Sequence, residues 1–329
     1  MAAHSGALTL DPRVNDIIPL GATIEKLAEG FGLAEGPVWS PEGYLLFSDV
    51  VNNVIHKWTS TGGVSVYRQC SGYTADTPSE DYLYGSNGLT LDTLGRLTAC
   101  QHGNRRVVRL EHDGREVVLA DRFEGKKLNS PNDLVYRSDG AIYFTDPPAL
   151  LQIFRPPEGG FGFKTEDDPR KELPFSGVYR AHNGKVQLLY KELPLPNGIA
   201  FSPDEKYLYV NDSIKKVYMR FEVRSDGTIV NGQIFCDMSP DSEPGVPDGM
   251  KIDQTGNVYG TGPGGFWILS PEGKHLGTVR TPEPLSNLAW GDDGKTLYMT
   301  GHHGLYRIRL KIPGLRPKVS MEANVGKNK

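Results

Sequence analysis

Six oxygen-bearing side chains, Glu35, Asn87, Asn132, Asn197, Asp248 and Ser286, each open a similar phrase in this chain. The phrases are EGPVWSPEGYLLFSD, NGLTLDTLGRLTACQH, NDLVYRSDGAIYFTD, NGIAFSPDEKYLYVND, DGMKIDQTGNVYGTG and SNLAWGDDGKTLYMTG. Two carboxylates and three carboxamides, with no cationic side chain among the six, are the donors that a hard divalent cation takes. Brought together without a cation, Glu35 and Asp248 would repel, and one would have to take up a proton. Taken singly, an Asn-Gly or Asp-Gly pair reads as turn chemistry. A turn does not require an oxygen donor at every copy, so the recurrence in phase is what points to a site.

The elements that would position these side chains follow from the same phrases. After each lead residue come a short apolar run, a turn and a second run, which reads as a β-hairpin. A glycine stands eight positions after the lead residue in five copies (Gly43, Gly95, Gly140, Gly256 and Gly294), and the fourth copy has Asp204-Glu205-Lys206 with one residue inserted. Further hairpins lie between the copies, with turns at HDG and HNG, giving about four strands and about 50 residues per unit. That period predicts an all-β fold, a six-bladed β-propeller, with the lead residues around one end of its central channel. The high content of Gly (39) and Pro (24) fits many short strands and turns. Helical spacing is confined to a single turn in IEKLAEG.

Residues 14–28 are expected to close the ring against LYRIRLKI at 305–312, removing the open edge between first and last blades. The reading gives an N-terminal arm at 1–13, one propeller domain at 14–312 and a polar tail at 313–329. Two stretches interrupt the rhythm, 70–85 and 147–175, and loops of this length in compact domains serve as lids or binding loops. Their aromatics, Tyr73, Tyr82, Tyr84, Phe154, Phe161 and Phe163, either shape a pocket or pack the loops onto the rim.

A net charge of −4 gives no electrostatic reason to expect nucleic acid or an anionic membrane as partner. No apolar run reaches the length of a membrane span. Cys70, Cys100 and Cys236 show no metal spacing and suggest buried thiols in a reducing compartment. The N-terminus lacks the basic and apolar regions of a leader, so a cytoplasmic location is expected, or a periplasmic one if a leader has been removed.

EGPVW, SPND, PNGIAFS and PDGM, in this order and spacing, resemble the SMP-30/gluconolactonase/LRE (regucalcin-like) family over about residues 30 to 312. CQHGNRRVVRL and KIPGLRP resemble its bacterial gluconolactonase branch. The resemblance implies a six-bladed propeller with one divalent metal at the channel mouth, most often Ca²⁺ (alternatives Mg²⁺, Mn²⁺ and Zn²⁺), and hydrolysis of sugar lactones. It places the metal on Glu35, Asn132, Asn197 and Asp248. Related phosphotriesterases imply a histidine from the last blade, here His302 or its neighbour His303.

On this reading the cation polarises a lactone carbonyl and Asp248 takes the proton of the attacking water. A polyhydroxylated substrate needs hydrogen-bonding groups, for which Asn87, Asn132, His102, Arg105, Asp146 and His302 are the candidates; Asn104 and Asp212 are further ones. Two other readings stand beside it: a calcium-binding or protein-interaction propeller without activity, and an esterase or phosphotriesterase of the same fold.

Overall fold

Each phrase becomes the inner half of a four-stranded antiparallel sheet. The computed structural model describes residues 7–76, 81–154, 162–164 and 168–320. Blade 1 runs through Ala34–Ser40, Tyr44–Asp49, Val54–Thr59 and Gly63–Gln69, and blade 2 through Ser86–Leu91, Leu97–Gln101, Arg106–Leu110 and Glu116–Ala120. Blades 3 and 4 begin with Leu134–Tyr136 and Pro196–Phe201 and repeat the order. Blade 5 begins with Met250–Ile252 and gains a fifth strand, Ala7–Thr9, on its outer edge. Blade 6 begins with Leu285–Gly291, and its outermost strand, Glu25–Glu29, comes from the N-terminal side of the chain.

That last pairing closes the ring: Glu25 lies opposite Arg307 and Lys26 opposite Tyr306. IEKLAEG, where a helical turn was expected, is therefore the closing strand. Val14–Ile17 forms the helical turn instead and buries Val14 and Ile17 against blades 5 and 6.

The core is divided among the blade interfaces. Blades 1 and 2 share Val38, Leu46, Leu89 and Leu97; blades 3 and 4 share Tyr143, Val178, Ile199 and Leu208; blades 6 and 1 share Ala289, Tyr298, Trp39 and Phe47. The other three junctions have their own apolar clusters. Every blade is thus covered on both faces, which is why the first strands read as nearly continuous apolar runs rather than alternating ones.

At the end away from the lead residues, the glycine eight positions on closes each inner hairpin with a left-handed φ, from 74° at Gly95 to 92° at Gly294. In blade 4, Glu205 takes this position at φ 57°, so the extra residue falls after the turn, not before it. Residues 313–320, assigned by sequence to the polar tail, run across this end of the channel. Leu315 N–H donates to Ile252 O, Gly314 N–H to Gly294 O, and Ser320 N–H to Thr93 O. Residues 321–329 lie outside the described ones.

Cys100 and Cys236 are buried free thiols as expected, whereas Cys70 is exposed. Among the described residues no helix is long and apolar enough to cross a membrane.

Candidate functional site

The lead residues meet because their backbones are stitched together around the channel. Ser48 Oγ donates to Asn87 O, Gly88 N–H to Asn132 O and Thr145 Oγ1 to Asn197 O. Gly198 N–H donates to Asp248 O and Gly249 N–H to Ser286 O, and Ser286 Oγ completes the circle to Ala34 O. Each blade thus binds a backbone carbonyl at the mouth of the next. The pairing register shifts beside the lead residue in blades 1, 2, 4 and 6. Such shifts re-aim side chains at the ends of strands.

These contacts also give the reason for the glycines. A Cβ on Gly36 would lie 2.1 Å from Asn87 O, one on Gly88 2.6 Å from Asn132 O, and one on Gly198 2.2 Å from Asp248 O. Gly88 and Gly198 lie within strands and do not have positive φ. The NG pairs at these two copies therefore serve close approach between blades, not turns.

Glu35 is buried, and Asp248 is half-buried at the mouth. The two carboxyl groups lie in contact, with Asn197 beside Asp248. Burial and the nearby Asp133 carboxylate push Glu35 up to about 7, against relief from Asn287, Gly36 N–H and Asp248. Burial and then the charge of Glu35 push Asp248 up in the same direction. Three buried carboxamide oxygens, Asn87 Oδ1, Asn132 Oδ1 and Asn197 Oδ1, have no hydrogen-bond donor. Ser213 fixes the last of these. Its hydroxyl proton goes to Pro247 O, so it accepts from Asn197 Nδ2, which leaves Oδ1 facing away from it.

Buried acceptors without donors are costly, and two buried carboxylates in contact are costly. A cation placed among them would relieve both. The donor set of Glu35, Asp248 and neutral amide oxygens fits a hard ion such as Ca²⁺. Among the described residues no group of three or more His, Cys, Asp or Glu is placed to hold a metal ion.

Several other residues singled out from sequence have structural partners. Asp146 is fully buried, and its oxygens accept the N–H groups of Asn129 and Ser130, just before Asn132. Asp212 does the same at Leu195 N–H, two residues before Asn197, and Asp49 at Gly32 and Leu33, before Glu35. These strand-end aspartates hold the chain just before three of the lead residues, Glu35, Asn132 and Asn197. Arg105 is buried, with its guanidinium on the carbonyls of Leu128, Asn129 and Arg170. His102 is sealed beneath residues 83–85 and burial drives its imidazole down to about 4, so it is neutral at physiological pH. Asn104 bonds Gln101 and Thr74.

Of the two histidines, His302 is half-buried and its carbonyl accepts from Ala34 N–H beside Glu35. His303 is exposed and its ring is bonded to Phe31 O.

The two insertions meet at the mouth end. Tyr82 and Ile153 pack with Leu33, Val50 and Leu83, and Arg170 pairs with Asp81 at 2.6 Å and with Asp168. Tyr73 and Tyr84 stack edge to face on each other. Phe161 and the side chains of Phe154 and Phe163 lie outside the described residues.

Sequence reading missed Asp133 and Asn287. Asp133 stands where other copies have glycine, a departure visible in the phrase NDLVY. Asn287 follows the lead residue of the sixth copy and donates to Glu35 Oε2 at 3.0 Å.

The sequence profile of the SMP-30/Gluconolactonase/LRE-like region matches residues 33–303. A gluconolactonase of Zymomonas mobilis is 34% identical over 92% of this chain and 85% of its own. The solved structure of a gluconolactonase from Xanthomonas campestris is 30% identical and covers 94% of this chain and 99% of that one, with a TM-score of 0.78. A calcium-binding regucalcin from Agrobacterium tumefaciens, 17% identical over 91% of this chain and 97% of that one, shares the fold at a TM-score of 0.69.

Proposed function

The chain belongs to the SMP-30/gluconolactonase/LRE-like family, and we propose that it is a lactonase that opens sugar lactones to the corresponding hydroxy acids at the mouth of its channel. The observations that carry this reading are the contact between Glu35 and Asp248 and the lack of a donor on three buried amide oxygens of the lead residues, Asn87, Asn132 and Asn197. Glu35, Asn132, Asn197 and Asp248 hold a divalent cation, of which calcium is the best match to an all-oxygen set. One neighbour of the same fold is described as calcium-binding. Once bound, the ion supplies Lewis-acid polarisation of the lactone carbonyl.

This chain's residues do the rest. Asp248 is the member of the carboxylate pair that solvent reaches. It takes the proton as water attacks the carbonyl carbon, and returns it to the ring oxygen as the acyl C–O bond breaks. Asn87, whose amide oxygen has no donor within the protein, and His302 are the groups that meet substrate hydroxyls. Asp146 and Arg105 act one step back, as positioning residues for the 128–132 approach, and His102 supports the 83–85 segment above it.

The test is turnover of a panel of aldonolactones, followed by acid release against buffer blanks, with EDTA and then with added Ca²⁺. Calcium-dependent opening of at least one lactone is expected. Equal rates with EDTA and Ca²⁺, or the blank rate throughout, would sink the reading.

A further inference from the structure

Among the six innermost strands there is one cationic side chain, Lys251. It is half-buried and lines an axial cavity of about 230 Å³ under the site. A lysine here costs side-chain entropy and partial desolvation of its charge, so its contacts need a reason.

Its ammonium donates to Met250 O at 2.9 Å and to Asn287 Oδ1 at 3.2 Å. Asn287 is almost fully buried, and its Oδ1 also accepts from Leu288 N–H at 2.8 Å. An ammonium and a backbone N–H can only donate. The amide of Asn287 is therefore locked with Oδ1 toward Lys251 and Nδ2 toward Glu35 Oε2. The amide is also held in place by packing: a Cβ on Gly249 would meet its Oδ1 at 2.1 Å.

The bonds form one chain across three blades. It starts at Met250 in blade 5, two residues after Asp248, passes through Lys251 to Asn287 in blade 6, and ends on Glu35 in blade 1. The Glu35 carboxylate is thus tied through Asn287 to the ammonium, which is anchored at its other contact on the backbone of Met250. A charge-assisted donor also polarises the amide it binds and strengthens the next donor in line.

We propose that Lys251 is a positioning residue for the cation centre, acting through Asn287 to orient Glu35. The inference rests on the reading of Glu35 as an ion ligand. The ammonium reaches Glu35 only through the Asn287 amide, so its effect on a bound ion would be exerted through the orientation of that carboxylate.

The experiment is calorimetric titration of the EDTA-stripped full chain with Ca²⁺, for wild type, Lys251→Met, Asn287→Ala and the double variant, with Tm in EDTA as the check on folding. Groups that orient a metal ligand affect affinity by 10- to 100-fold; Lys251→Met and Asn287→Ala are each expected to weaken Kd about tenfold. The double variant is expected to bind no more weakly than Asn287→Ala alone, because Lys251 acts through that amide. Lys251→Arg restores affinity to within about threefold, since it returns cationic donors. Wild-type or tighter binding by Lys251→Met overturns the proposal, and so does a double variant in which the two losses multiply. If Lys251→Met fails to fold, Asn287→Ala decides alone: wild-type Kd there overturns the relay. A wild-type chain that binds no Ca²⁺ overturns the ion centre itself, an outcome distinct from loss of the relay.

Discussion

Glu35 and Asp248 differ in exposure, and the proposed function gives them different tasks. Glu35 is buried, fixed by Gly36 N–H and Asn287, and suited to holding an ion. Asp248 reaches solvent, and its backbone is pinned by Thr261 Oγ1 at 2.7 Å. Asp248→Ala is expected to reduce lactone turnover by at least about a thousandfold, through loss of a ligand and the general base together. Its Tm in EDTA should equal or exceed that of wild type, because the repulsion with Glu35 is gone; parent-level turnover would refute the assignment.

The same pair predicts a pH dependence. In the ion-free protein Glu35 sits at about 7 against an ordinary value of 4.5. The folded state then binds more protons than the unfolded one between these values, so stability falls as pH rises through that window. Asp146, raised to about 7 by burial, has the same sign but lies outside the ligand set. Calcium displaces the proton of the pair, so the gap between Tm in saturating Ca²⁺ and Tm in EDTA should widen from pH 5 to pH 8. A gap that stays constant over that range would mean the ion binds elsewhere.

At the scale of the element, two classes of glycine separate. Gly198 is pressed against the Asp248 carbonyl, whereas Gly43 faces open space at φ 89°. Gly198→Ala must move Asp248, so it is expected to cost about 1–3 kcal/mol as overpacking and about a hundredfold in kcat/KM, since small displacements of reacting groups cost that much. Gly43→Ala is expected to cost about 1–2 kcal/mol of left-handed strain with unchanged kcat/KM. Urea melts and steady-state rates on both variants check this; equal effects on activity would remove the distinction. The hairpin pattern was readable because strand, turn and strand recur at fixed spacing. The roles of Asp146 and Asp212 were not, because a strand-end aspartate looks the same whether it faces a ligand or caps the backbone of its own blade. Asn287 was passed over for Ser286 because the register shift in the sixth copy has no sequence signature.

For the whole molecule, ring closure and the bracing of the far end of the channel fall to two segments far apart in sequence. Glu25–Glu29 completes blade 6, and residues 313–320 brace the opposite end of the channel, with Gly314 flat against the Trp290 ring and Lys318 near Glu205. Deleting 313–329 is expected to lower Tm by several degrees while leaving calcium binding intact, because the ring remains closed by Glu25–Glu29 and the ligands lie at the other end. A truncated chain that fails to bind Ca²⁺ in the same titration would show that the strap sets the geometry of the mouth.

The sequence alone determined the repeat, the number of blades, the ring closure in outline and the six lead residues, because a propeller writes each blade as one local phrase. Only the tertiary structure decided which side chains point at the axis. Asp133, Asn287 and Lys251 join Glu35 and Asp248 through contacts between blades, and such contacts depend on how neighbouring sheets are rotated against one another. That rotation is set by the packing of all six apolar interfaces at once, and no single phrase contains it.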